Sequence, residues 1–105
     1  MAIFEWDERK NEANIKKHGV GFLTASRIFE GPVLTAADDR FDYGELRENS
    51  IGIIDGALVL VVTHTDRPGK VRIISARPAN REERNRYEET LRQGTQHQGT
   101  GRPTR

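Results

Sequence analysis

A chain of 105 residues has room for one compact domain, so any site must be assembled on a single small core. With 34% hydrophobic and 31% charged residues, no cysteine and no apolar run longer than Ala57 to Val62, the sequence excludes membrane-spanning helices, disulfides, thiolate metal sites and a cysteine nucleophile. Net charge is only +1, but His64 to Arg105 carries ten Lys/Arg against five Asp/Glu while residues 1–63 carry seven against eleven, which puts a surface able to attract a phosphate backbone late in the chain.

Ala2 to Trp6 reads as a short strand, and Asp7 is placed to cap a helix running to about His18, where Gly19 supplies the left-handed residue that ends it. On that helix Lys10, Asn14, Lys17 and His18 share a face, which is either a solvated stripe or a contact surface for RNA or a protein. A second short helix carries Phe22, Ala25, Ile28 and Phe29 at helical spacing and stops at Gly31-Pro32. Its apolar residues belong to the core. Asp38, Asp39 and Asp42 cluster in a loop without regular metal-ligand spacing, so no metal and no other cofactor is expected.

The middle of the chain reads as antiparallel sheet. Asp55-Gly56 predicts a two-residue hairpin pairing Ile54 with Ala57 and, further out, Arg47 with His64. A second turn over Asp66-Arg67-Pro68-Gly69 pairs Thr65 with Lys70, His64 with Val71 and Leu58 with Arg77. In that register His64 and Arg77 share a face about six rungs apart, roughly 20 Å at normal strand rise. The apolar centres of both faces predict cover on both sides of the sheet. Asn80 then caps a last helix bearing Glu83, Tyr87 and Leu91 at four-residue spacing. The expected fold is α+β, an antiparallel sheet of three to four strands packed with two N-terminal helices and a C-terminal helix. Residues 1–92 form the domain, and the Gly-, Thr- and Gln-rich stretch 93–105 reads as a disordered polar tail.

Four separated segments, FEWDERKNEANIKKHGVGF from Phe4, DDRFDYGELR from Asp38, THTDR from Thr63 and RIISARPANREERNRYEE from Arg72, together resemble the BrnT family. The resemblance covers nearly all of the domain. Gly21 departs from it where a Ser or Asp helix cap is usual, and Glu48-Asn49 are more polar than the strand residues usual there. It implies a RelE-like fold, RNA cleavage that blocks translation, and neutralisation by a BrnA-like antitoxin that itself binds DNA, so DNA would be met only through that partner. The missing cysteines and the polar opening MAIFEWDERK, which lacks the apolar stretch of a secretory signal, fit a cytoplasmic protein with no membrane partner.

Cleaving RNA without a metal needs a base for the 2′-OH, an acid for the leaving 5′-oxygen and cations for the charge building on the phosphate oxygens. Two arrangements supply these. One centres on His64, the only histidine on an expected strand, with Arg47 and Arg72; the other centres on Arg77, with Arg81, Glu83 and Tyr87 from the last helix. RelE-like toxins draw on sheet arginines and the chain's end, so the resemblance favours including Arg77. Arg67, Arg72, Arg81, Lys10 and Lys17 are the expected RNA binders. Against these stand structural readings: His64 as a polar residue at the sheet's rim, and Arg77–Glu83 as a salt bridge that holds the last helix. A different class of function also remains, a non-catalytic binding module or corepressor acting with a DNA-binding partner.

Overall fold

The first helix is set at both ends by the residues the sequence singles out. In the computed structural model, which describes residues 3–40, 42 and 44–97, strand β1 (Phe4–Trp6) leads into helix α1 (Glu8–His18). The Asp7 carboxylate accepts from the N–H groups of Arg9 at 2.8 Å and Lys10 at 3.4 Å, and Gly19 closes the helix at φ 74° by donating to the Ile15 carbonyl. Helix α2 (Phe22–Ala25) continues as a 3₁₀ helix (Ser26–Glu30). Gly21 offers it no side-chain cap, and Asn11 of α1 does so instead, its Oδ1 accepting the Phe22 N–H at 2.8 Å.

The strands that follow are β2 (Leu34–Ala37), β3 (Glu48–Ile54), β4 (Leu58–Arg67) and β5 (Lys70–Pro78), and helix α3 (Arg81–His97) comes last. They form one five-stranded sheet in the order β1-β5-β4-β3-β2. The fold is α+β, but the sheet is mixed and larger than the three to four antiparallel strands expected. β1 joins parallel to β5, Phe4 beside Val71 and Trp6 beside Ile73, so that Phe4 and Trp6 pack on the core while Glu5 meets Arg72 and Lys70. β2 escapes the sequence reading because Leu-Thr-Ala-Ala has neither apolar alternation nor strand propensity at its alanines. Helix α3 runs through Gln93 to His97, into the stretch assigned to the tail, and residues 98–105 lie outside the described residues.

Both predicted registers are displaced. Asp55 and Gly56 adopt positive φ as a tight turn requires, but Ala57 is drawn into the connection and Ile54 pairs with Leu58, so His64 sits opposite Glu48 and not Arg47. The second turn is the two-residue Pro68-Gly69, with Arg67 opposite Lys70, His64 opposite Ile73 and, after a bulge, Arg77 opposite Val61. Side chains alternate faces along a strand. His64 therefore lies on the side of Leu60 and Val62, whereas Arg77 lies with Val61 on the other.

The core fills the first of these faces. Val20, Phe22, Ala25 and Ile28 of the helical segment pack on Ile54, Leu60, Val62, Ile73 and Ala76. The approach is close enough that a Cβ on Gly52 would fall 2.7 Å from the Ile28 Cβ. On the opposite face Val59 and Val61 are buried, as is Tyr87 of α3, whose hydroxyl donates to the Pro32 carbonyl at 2.7 Å. Both faces are covered, as the apolar centres predict.

Asn14, placed by its spacing in the polar stripe of α1, is buried. Its amide donates to the carbonyls of Val20 at 2.9 Å and Ala76 at 2.6 Å and accepts the Ala76 N–H at 3.2 Å. Replacing Asn14 by Leu keeps the branched shape of the side chain but strands buried backbone groups, each costing roughly 1–3 kcal/mol. Urea denaturation of Asn14→Leu should show a stability loss of at least about 2 kcal/mol; a loss within error would remove the clamp from this account.

Candidate functional site

Opposite the helix-packed core, the sheet and α3 enclose a groove of about 280 Å³. Leu34, Asn49, Ile51 and Val61 make its floor, and Arg77 with Glu83 and Arg86 make its charged wall. β5 carries Arg77 to this face, and the turn at Pro78 to Asn80 brings α3 back beside it. The helix start is a reciprocal capping box: Asn80 Oδ1 accepts the Glu83 N–H at 2.8 Å and Glu83 Oε1 accepts the Asn80 N–H at 2.9 Å. The same carboxylate takes both arms of the Arg77 guanidinium, at 2.8 Å each, in a forked pair.

Charge on this wall is fixed across the physiological range. The Arg77 fork, helped by the Asn80 N–H and opposed by partial burial, pulls the Glu83 carboxyl down to about 2. Its partner Arg77 is pushed above the usual guanidinium range by the same contact. Arg86, exposed one turn beyond Glu83, adds a second positive group to the wall.

The other expected residues fall elsewhere. His64 is only 5% exposed on the core side, its ring edge-on to Phe29 and its Nε2 2.7 Å from the Ser50 hydroxyl, which is 2.7 Å from that of Thr35. Burial holds its pKa below the ordinary value, against the opposing influence of Glu48 and Asp66. It cannot meet a phosphate held by Arg77. Arg47 and Arg67 both reach Glu45, at 3.4 and 3.2 Å, near the same end of the sheet as His64. Arg72 pairs with Glu5 at 3.0 Å beside β1. Arg81 is exposed in the first turn of α3, and Lys10 and Lys17 are exposed on α1. Tyr87 is fully buried beneath α3, anchored to Pro32. The structure thus brings Arg77 and Glu83 together and separates them from His64 and Arg47. Asn49 and Arg86 line the groove without having been singled out by sequence; the Glu83-x-x-Arg86 spacing was the available signal for Arg86.

The architecture is thus an α+β domain whose sheet carries, on the face away from the helical layer, a groove walled by two arginines and a glutamate, and comparison with known proteins assigns it a family. Residues 6–83 match the family model described as ribonuclease toxin, BrnT, of a type II toxin–antitoxin system. The chain belongs to the BrnT family. The crystal structure of the ribonuclease toxin BrnT from Brucella abortus superposes with a TM-score of 0.58 at 25% identity, covering 77% of this chain and 100% of that one. No curated protein matches. Within the family match lie both partners of the Arg77–Glu83 fork, whereas Arg86 and Tyr87 lie beyond its end.

The fork also sets a pH dependence. A carboxyl lowered from 4.5 to about 2 on folding stabilises the native state fully above its unfolded value and loses that contribution as pH falls from about 4.5 toward 2. Because Arg77 is 41% exposed and solvent screens the pair, the amount is on the order of 1–3 kcal/mol. Urea midpoints measured between pH 5 and pH 2.5, a range chosen around about those two values, should fall steeply for the native chain and more gently for Glu83→Gln. Parallel curves would remove the fork as a stabilising contact.

Proposed function

We propose that this chain is a RelE-like endoribonuclease that cleaves RNA without a metal ion at the Arg77–Glu83–Arg86 groove, blocks translation, and is held silent in the cytoplasm by a BrnA-like antitoxin. The observation that carries the reading is the family match over residues 6–83 together with two arginines on the wall of an open groove. Arginines bind phosphate by planar, two-pronged contacts and stabilise charge on its oxygens as a 2′-oxygen attacks. A phosphate entering the groove competes with Glu83 for the Arg77 fork. Released, the carboxylate loses the contact that holds it near 2, becomes a better base, and is placed to take the 2′-OH proton. Water in the open groove protonates the departing 5′-oxygen. Arg81 extends the positive wall along α3, while Arg67, Arg72, Lys10 and Lys17 add long-range attraction. DNA is reached only through the antitoxin.

The chain, separated from its antitoxin and incubated with RNA in EDTA, should give fragments ending in 2′,3′-cyclic phosphate. Arg77→Ala and Arg86→Ala should each slow cleavage at least about tenfold. Arg86 has no part in the α3 cap, so its variant keeps the test open if Arg77→Ala unfolds the helix. The fork itself favours a second reading, a binding module in which Arg77 and Glu83 only fasten α3; that protein would cleave nothing and leave growth unaffected when produced alone.

For the antitoxin, the exposed Leu23 and Ile15, 71% and 46% accessible on the helical side, supply apolar docking area, and the arginines supply orientation. Apolar contact resists salt whereas charge steering does not. Complex formation should therefore slow as salt rises while the assembled pair survives high salt, and Leu23→Glu should weaken affinity at least about tenfold. A pair that falls apart in high salt and ignores Leu23→Glu would put the antitoxin on the arginines alone.

A further inference from the structure

We propose that Glu48, His64 and Asp66 form a binding site for a divalent transition-metal ion of the zinc class, on the helix-packed face of the sheet and outside the RNA groove. One ligand atom from each of the three lies within 4.8 Å of the other two. Glu48 stands opposite His64 across the β3–β4 ladder, and Asp66 follows two residues on, so alternation turns all three to one face. Ligands around a zinc ion at 2.0–2.1 Å sit about 3.4 Å apart in a tetrahedron, a contraction that two partly exposed carboxylate side chains can make.

His64 carries the argument further. Its residue is 5% exposed, and Nδ1 is buried with no hydrogen-bond partner, although a buried polar atom without one costs free energy. The other ring nitrogen is already engaged by the Ser50 hydroxyl at 2.7 Å, an outer contact that orients the imidazole, and with Nε2–H donating to that hydroxyl the free lone pair lies on Nδ1. Burial disfavours the protonated ring, against the opposing pull of Glu48 and Asp66. Among the described residues Glu48 and Asp66 make no hydrogen bond or ion pair, although a carboxylate oxygen of each lies within 4.8 Å of the other's and of a His64 ring nitrogen. An ion would satisfy all three groups together.

The donor set selects the ion. One imidazole with two carboxylates suits zinc or cobalt, whereas magnesium and calcium take all-oxygen shells. Asp66 is exposed, which leaves an entry path and a fourth position for water. An ion bound there ties β3 to β4 and stabilises the folded chain by mass action. The site does not rest on the ribonuclease reading, and the two can fail separately.

The test uses the full chain after chelator treatment and dialysis. Adding Co²⁺ should produce visible absorption bands of the bound ion, and Zn²⁺ should raise the thermal midpoint and displace the cobalt spectrum. Mg²⁺ should do neither. The double variant Glu48→Gln/Asp66→Asn, which keeps side-chain size and leaves the core untouched, should bind Co²⁺ at least about tenfold more weakly while still cleaving RNA. His18→Ala/His97→Ala should bind as the native chain does, which removes the other two histidines as the source of the signal. The assignment is overturned by an unchanged cobalt spectrum in the carboxylate double variant, by no spectral change in the native chain, or by an equal thermal shift with Mg²⁺.

Discussion

The carboxamide of Asn14 bonds both backbone groups of Ala76, and in doing so takes the place of a strand. β1 is only three residues long and ends opposite Ile73, so the outer edge of β5 beyond that point has no neighbour in the sheet. An amide side chain carries a donor and an acceptor in the same spacing as a peptide, which lets one residue of α1 satisfy an edge that would otherwise be buried and unpaired. The rest of the helical layer follows from that anchor. With α1 fixed, its remaining donor to the Val20 carbonyl holds the turn after Gly19, Asn11 caps α2, and Phe22 and Ile28 enter the core over Gly52. A bulkier residue at Gly52 would push the 3₁₀ helix off the sheet, so the closeness of that layer is fixed from both ends.

The sheet separates two kinds of chemistry. Its helix-packed face is apolar in the middle and polar at the end where His64, Ser50 and Thr35 form a hydrogen-bonded row. On the opposite face an open groove lies between β2, β3 and α3. Two side-chain contacts that tie α3 down are the Arg77–Glu83 fork and the Tyr87–Pro32 hydrogen bond. The fork is partly solvated and contributes modestly, whereas the buried tyrosine brings a large apolar ring along with its bond. Loss of the fork would therefore cost α3 less than loss of the buried tyrosine, since the Asn80–Glu83 cap does not depend on Arg77.

What the sequence made legible was local. Asp7, Gly19, Asn80 and the turn glycines act within a few residues of themselves, and their helices and turns stand where the pattern puts them. Register was not legible, because it depends on how many residues a turn consumes. Ala57 can end a strand or join the Asp55-Gly56 turn, and that one-residue choice exchanges Arg47 for Glu48 opposite His64. The bulge near Thr63 and His64 adds a further shift that no residue type announces. Asn14 shows the same limit on a helix, since a polar residue in a polar stripe looks solvated until the strand it clamps is known.

The candidate site divides along the same line. Arg77 and Glu83 are six residues apart across a strand-to-helix turn, a short-range relation, and their pairing follows from chain connectivity alone. His64 and Arg77 are thirteen residues apart in adjacent strands, and whether they cooperate is decided by face and register. A hairpin of identical sequence with one residue more or fewer in either turn would put different cations beside the histidine. The fork belongs to the part of the chain that matches the BrnT family, while Arg86 and Tyr87 lie past its end. The groove's floor and its first arginine are thus carried by the strands, and the placement of the second arginine depends on how the buried Tyr87 seats α3.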